Sequence, residues 1–179
     1  MAQTDLTIAG VGGQGSILAG VILGSAAVTF DHKYATQTQA YSSELRGGFA
    51  AAWVIISDTP IEFPRVVHPD VMVAQAQDSI DRFGNVLKPE AILIIDGDMV
   101  NSTPPGVKQC YKIQATTIAR NEFKLALVAN MIMLGALCSV TQVVNRTALE
   151  KAIVKAVPKG KDQINLEAFN KGFEQVKPL

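Results

Sequence analysis

The chain has 179 residues, with Lys+Arg and Asp+Glu balanced at 16 each and no formal net charge. Its length points to a single domain, spanning residues 1–179, large enough to bury a sizeable core, and its charge balance gives neither the basic footprint of a nucleic-acid binder nor a basic membrane patch. A hydrophobic share of 48% beside a charged share of 18% points to apolar surface covered by partners or by self-association.

A strand is expected over Asp5 to Gly10, from the apolar run Leu6-Thr7-Ile8-Ala9. It leads into G-V-G-G-Q-G at residues 10–15. The spacing Ile17, Leu18, Val21, Ile22, Ser25, Val28 then predicts a helix over Gly15 to Thr29. Glycines at a strand-to-helix junction let backbone N–H groups approach a phosphate, and the helix N-terminus adds partial positive charge. The candidate binding residues are Gly10, Gly12, Gly13, Gln14, Gly15 and Ser16. The alternative is a tight turn whose glycines only allow close strand–helix packing.

A dinucleotide site wants a carboxylate at the end of the second strand to hold the ribose. Asp31 has the right separation but falls in the turn Asp31-His32-Lys33, before a strand expected over Tyr34 to Ala40. Gln37, Thr38 and Gln39 stand near the tip of that strand, with no carboxylate. G-x-x-x-x-G-K-[ST] is absent, which excludes an ATP-type P-loop of that pattern.

A long apolar run follows from Phe49 to Ser57, after Gly47-Gly48 and before the turn signal Asp58-Thr59-Pro60. Val71 to Ala74 reads as a short buried strand. A helix is expected from Asp78 to Phe83, stopping at Gly84-Asn85. Further strands are expected over Ala91 to Ile95 and Tyr111 to Ile113. The most apolar stretch, Asn121 to Val140, reads as one buried helix, because Lys124 and Asn130 argue against a membrane span. Amphipathic helices over Thr147 to Ala156 and Gln163 to Phe173 complete the pattern. The alternation predicts an α/β fold: a three-layer, Rossmann-like domain on a largely parallel sheet, with mixed pairing allowed.

Cys110 and Cys138 are isolated, and His32 and His68 lie far from both, so no metal or iron–sulfur ligand set is expected. Cys138 sits in an apolar stripe and reads as a buried hydrophobe. Asp5 and the glycine loop interrupt the N-terminus before a signal-peptide core can form, which predicts a cytoplasmic protein.

A second constellation, Y-S-S-E-L-R-G-G at residues 41–48, places Arg46 beside the paired glycines Gly47 and Gly48. Arginine can fork onto a phosphate or carboxylate, and the glycines permit close backbone approach. Taken alone, the segment also reads as a surface turn with a local Glu44–Arg46 pair.

The order G-V-G-G-Q-G-S-I-L-A-G, Y-S-S-E-L-R-G-G, a strand ending I-S-D, then P-D-V-M-V-A-Q resembles the gamma subunits of 2-oxoacid:ferredoxin oxidoreductases. The similarity is specific over the first half and looser through L-K-P-E-A-I-L-I-I-D and L-V-A-N-M-I-M-L-G-A. It is nearest to the 2-oxoglutarate and branched-chain types, whose gamma chains lack iron–sulfur domains. The family usually has glycine where this chain has Ser42; serine fits a negative φ but would strain a left-handed backbone.

The resemblance implies a division of labour. Thiamine diphosphate with Mg2+ would sit between alpha and beta subunits, and iron–sulfur clusters on beta or a ferredoxin-like delta subunit. This chain would contribute no catalytic residue; it would cap the active site and bind coenzyme A. The reaction implied converts a 2-oxoacid, coenzyme A and oxidised ferredoxin to acyl-coenzyme A, carbon dioxide and reduced ferredoxin. The isolated chain would be free to self-pair as a homodimer. Two other readings stay open: a stand-alone module binding flavin or NAD, and a purely structural subunit.

Overall fold

The computed structural model describes residues 3–43 and 47–179. Its seven-stranded sheet has the order β2-β3-β1-β4-β5-β6-β7. The strands are β1 (Gln3–Val11), β2 (Tyr34–Tyr41), β3 (Phe49–Ser57), β4 (Val71–Ala74), β5 (Ile92–Asp96), β6 (Gln109–Ile113) and β7 (Lys177–Pro178). The helices are α1 (Ser16–Phe30), α2 (Gln77–Phe83), α3 (Ala115–Asn121), α4 (Ala129–Thr141), α5 (Arg146–Ala156) and α6 (Asp162–Gln175).

β1, β4, β5 and β6 pair in parallel, whereas β3 runs antiparallel to both β1 and β2, and β7 antiparallel to β6. The expected parallel framework is therefore present, with a mixed flank. The second strand is not the neighbour of the first: β3 is inserted between them and paired along its whole length, from Gln3 against Ser57 to Val11 against Phe49. Two successive antiparallel pairings leave β2 pointing the same way as β1. The C-terminal ends of β1, β2, β4, β5 and β6 thus share one rim with the beginning of β3.

Period-two alternation sorts side chains between two packing layers. Leu6, Ile8, Val54, Ile56, Val73 and Ile94 face α1 and the α3–α6 helices in the larger core. Met72, Ala74, Leu93 and Ile95 join Ile80 of α2 in the smaller one. Trp53 and Phe49 meet Phe83 of α2 edge-on at 5.6 and 6.0 Å between ring centroids. α4 and α6 cross backbone to backbone. A Cβ on Gly135 would fall 2.8 Å from the Phe173 nitrogen and collide with the Phe169 carbonyl, and one on Gly172 would collide with the Ile132 carbonyl.

The 121–140 segment is not one helix. α3 ends at Asn121, Lys124 takes a left-handed φ of 54°, Leu125 is extended, and α4 begins only at Ala129 after a 3-10 turn. The interruption is tied back to α3, since the Leu125 amide donates to the Ala119 carbonyl at 3.1 Å. It sets Asn130 in the first turn of α4, against the glycine loop. Among the described residues, no helix is long and apolar enough to cross a membrane.

Candidate functional site

The two glycine motifs, about thirty residues apart in sequence, meet at the C-terminal rim. Gly12 N–H donates to the Gly48 carbonyl at 2.7 Å, and Ser42 N–H to the Phe49 carbonyl at 2.9 Å closes the base of the β2–β3 turn. Gly13, Gly15 and Gly47 adopt φ of 95°, 74° and 78°, where a side chain would be strained. Ser42 is not among the left-handed residues, so serine stands in place of the usual glycine without backbone strain. Arg46 lies outside the described residues.

The side chains of the first motif are engaged within the protein. Gln14 Oε1 accepts from Val11 N–H at 2.7 Å, Gln14 Nε2 donates to the Gln75 carbonyl at 2.9 Å, and Gln75 Nε2 donates back to the Gln14 carbonyl at 3.1 Å. Ser16 Oγ donates to Gln75 Oε1 at 2.6 Å. Gln14 and Ser16 are thus fasteners of the loop. Gly10 belongs to the same fastening: it lies within β1, and a Cβ there would fall 2.5 Å from Gln14 Oε1 and 2.8 Å from Ser16 Oγ. Its missing side chain makes room for this cluster.

What remains open is backbone. The Gly13, Gly15, Ser16 and Ile17 amides have no hydrogen-bond partner among the described residues. The first turn of α1 has no acidic residue to neutralise its positive end. A Cβ on Gly13 would meet nothing within 4 Å, whereas one on Gly15 would press on Asn130. Asn130, nearly fully buried, reaches the Gly15 carbonyl through Nδ2 at 3.5 Å.

Beside the loop a cleft of about 130 Å³ is lined by Gly13, Gln14, Gln75, Asp96, Arg120 and Leu127, among others. Asp96 ends β5 and is 2% exposed. Its oxygens accept from Asp98 N–H at 3.1 Å, Thr116 N–H at 3.2 Å and Thr116 Oγ1 at 2.6 Å. Burial holds its carboxyl above the ordinary value, opposed by these hydrogen bonds. Arg120, exposed on α3, makes no ion pair among the described residues and supplies the cleft's positive charge.

Asp31 stands at the far end of α1, in contact with Lys33 at 3.4 Å and accepting from Asn145 N–H at 3.1 Å. It is removed from the glycine loop by the whole helix, so the carboxylate of a dinucleotide ribose site is not provided there. Gln75, Asn130 and Arg120 are the rim residues that sequence reasoning did not single out as site residues. Gln75 was visible only as the last letter of P-D-V-M-V-A-Q and Asn130 only as a polar interruption of the apolar 121–140 run; nothing local marks Arg120.

The description pyruvate ferredoxin/flavodoxin oxidoreductase belongs to a family model that matches residues 5–175, and the chain belongs to that family. It is 46% identical over 179 residues to the 2-oxoglutarate synthase subunit KorC of Methanocaldococcus jannaschii, across 99% of this chain and 96% of that protein. Identity to the KorC of Methanothermobacter marburgensis is 42%, with 97% of each chain covered. The gamma subunit of a keto/oxoacid ferredoxin oxidoreductase from Geobacter sulfurreducens superposes with a TM-score of 0.88 at 37% identity, over 98% of this chain and 97% of that one. Within the family, then, the chain is a gamma-type subunit of a multi-subunit 2-oxoacid:ferredoxin oxidoreductase.

Proposed function

We propose that this subunit serves a cytoplasmic 2-oxoglutarate enzyme, where it caps the active site and holds coenzyme A by its phosphates. The observation that carries the reading is the set of uncommitted amides of Gly13, Gly15, Ser16 and Ile17 at the positive end of α1. Coenzyme A has a pyrophosphate and a 3′-phosphate and needs no second-ribose carboxylate, which agrees with the position of Asp31. Gly12, Gly13 and Gly15 allow backbone approach, Gly47 and Gly48 shape the neighbouring turn, and Gln14, Ser16 and Gln75 hold the loop rigid. Arg46 and Arg120 add positive charge for the phosphates.

The subunit's contribution would be to position the coenzyme A thiol and exclude water. Thiamine diphosphate, Mg2+ and iron–sulfur clusters would reside on the alpha, beta and delta partners. The test is Gly13→Val in the assembled enzyme. It should raise the KM for coenzyme A while sparing oxoacid decarboxylation, with intact assembly as the control. Unchanged coenzyme A kinetics would reduce the loop to a packing turn.

A further inference from the structure

We infer that the outer edge of β2, together with the adjoining face of α1, is the interface for a second copy of this chain. The inference goes beyond coenzyme A binding and does not depend on it. β2 ends the sheet and pairs only with β3 among the described residues. It runs for eight residues, Y-A-T-Q-T-Q-A-Y, each paired to β3 in unbroken register. Proteins that leave such an edge in water usually blunt it with charge, proline, a bulge or shortness. β2 has none of these.

α1 carries the same signature. Its buried face presents Ala19, Ile22, Leu23, Ala26 and Ala27 to the sheet and α5, yet Leu18, Val21 and Val28 on its open face are 41%, 48% and 52% exposed. None of its fifteen residues is charged. A helix apolar on all sides is covered on all sides in the finished protein. Between this helix and β2 runs a groove of about 510 Å³, lined by Val21, Val28, Ala35 and Gln37 among others, and continuous with the open strand edge.

The chemistry of the edge selects its own copy. In an antiparallel pair, directly opposed residues lie on the same sheet face, so a twofold axis passes through a like-with-like pair. An axis at Gln37 opposes Gln37 to itself and Thr36 to Thr38. An axis at Thr38 opposes Thr38 to itself and Gln37 to Gln39. Each glutamine amide and threonine hydroxyl both donates and accepts, and Gln37 Nε2 makes only long contacts within the chain, 3.5 Å to the Ile17 carbonyl and 3.4 Å to Gln39 Oε1, so these pairs can satisfy one another, whereas a lysine or glutamate there would repel its twin. The strand seam sets register, and Leu18, Val21 and Val28 on the two α1 faces add apolar cover beside it.

Sedimentation of the full chain at micromolar concentration should give twice the 19.1 kDa mass of one copy. Thr38→Lys and Val28→Asp, both at exposed positions, should each return the single-copy mass with unchanged circular dichroism and melting. Hydrogen exchange on the unmodified chain should show the outward β2 amides protected, and they should lose protection on dilution. A single-copy mass for the unmodified chain, a pair that survives both substitutions, or a β2 edge joined to another subunit's strand in the assembled enzyme would each overturn the inference.

Discussion

Gln14 and Gln75 clasp each other across the rim: each side-chain amide donates to the other's backbone carbonyl, at 2.9 and 3.1 Å. The end of β4 thereby dictates the shape of a loop that follows β1, 61 residues earlier. Gln75 is 2% exposed and also receives the Ser16 hydroxyl, so Gln75→Leu would strand two polar partners at once. The expected loss is about 1–3 kcal/mol for each partner left without a hydrogen bond. Denaturant unfolding should register it, with faster hydrogen exchange confined to residues 11–17 at low denaturant.

Gly13 and Gly15 share a left-handed backbone but differ in surroundings. Gly13→Ala meets open space and should cost only the conformational term, about 1–2 kcal/mol. Gly15→Ala must also displace Asn130, whose Cβ and Cγ would lie 3.2 and 3.0 Å from the new methyl group. Its melting temperature should fall further than that of Gly13→Ala, and pairing it with Asn130→Ala should recover part of the difference.

Asp96 sets a pH dependence of definite sign. Its folded-state pKa is raised above the ordinary 3.8 by burial, so the folded protein holds this proton more tightly than the unfolded chain. Stability from this group therefore increases as pH falls through the folded pKa, and is fully gained below 3.8. Comparing unfolding free energies of the protein and Asp96→Asn across the window just above that value should isolate the contribution. The variant should lose this rise toward acid, against the falling background of the other carboxylates.

Cys138 should be chemically silent. The thiol is 2% exposed, contacts the Val144 carbonyl at 3.8 Å, and is pushed up to about 11 by burial. Burial also raises the half-buried Cys110. Because the thiolate is the reactive form, a disulfide reagent at neutral pH should modify Cys138 only as fast as the protein opens, and promptly in denaturant.

The sequence disclosed those parts of the molecule whose cause is local. Alternation and apolar runs marked β1, β3, β4 and β5 within a residue or two, and glycine spacing marked the turn after β1. The direction of β3 was not legible, because the apolar run from Phe49 to Ser57 reads equally well as a buried parallel strand. The break after α3 was missed because Phe123-Lys124-Leu125 contains neither glycine nor proline; Lys124 takes its left-handed φ where the chain folds back on Ala119. Asn130 joins Gly15 across 115 residues, a separation over which no spacing rule operates.

The antiparallel return of β3 makes the first third of the chain a measuring rod. β1, β3 and β2 stay in step without a bulge, so Gly48 reaches Gly12 only because the strands between them count correctly. Removing one residue from the middle of β3 would exchange the environments of Val54 and Ile56 with those of Trp53 and Ile55, and withdraw Gly47 and Gly48 from the rim. Length variation in related chains should therefore collect beyond Ser57, in the 58–70 connection at the opposite rim, while the span from 3 to 57 keeps its count.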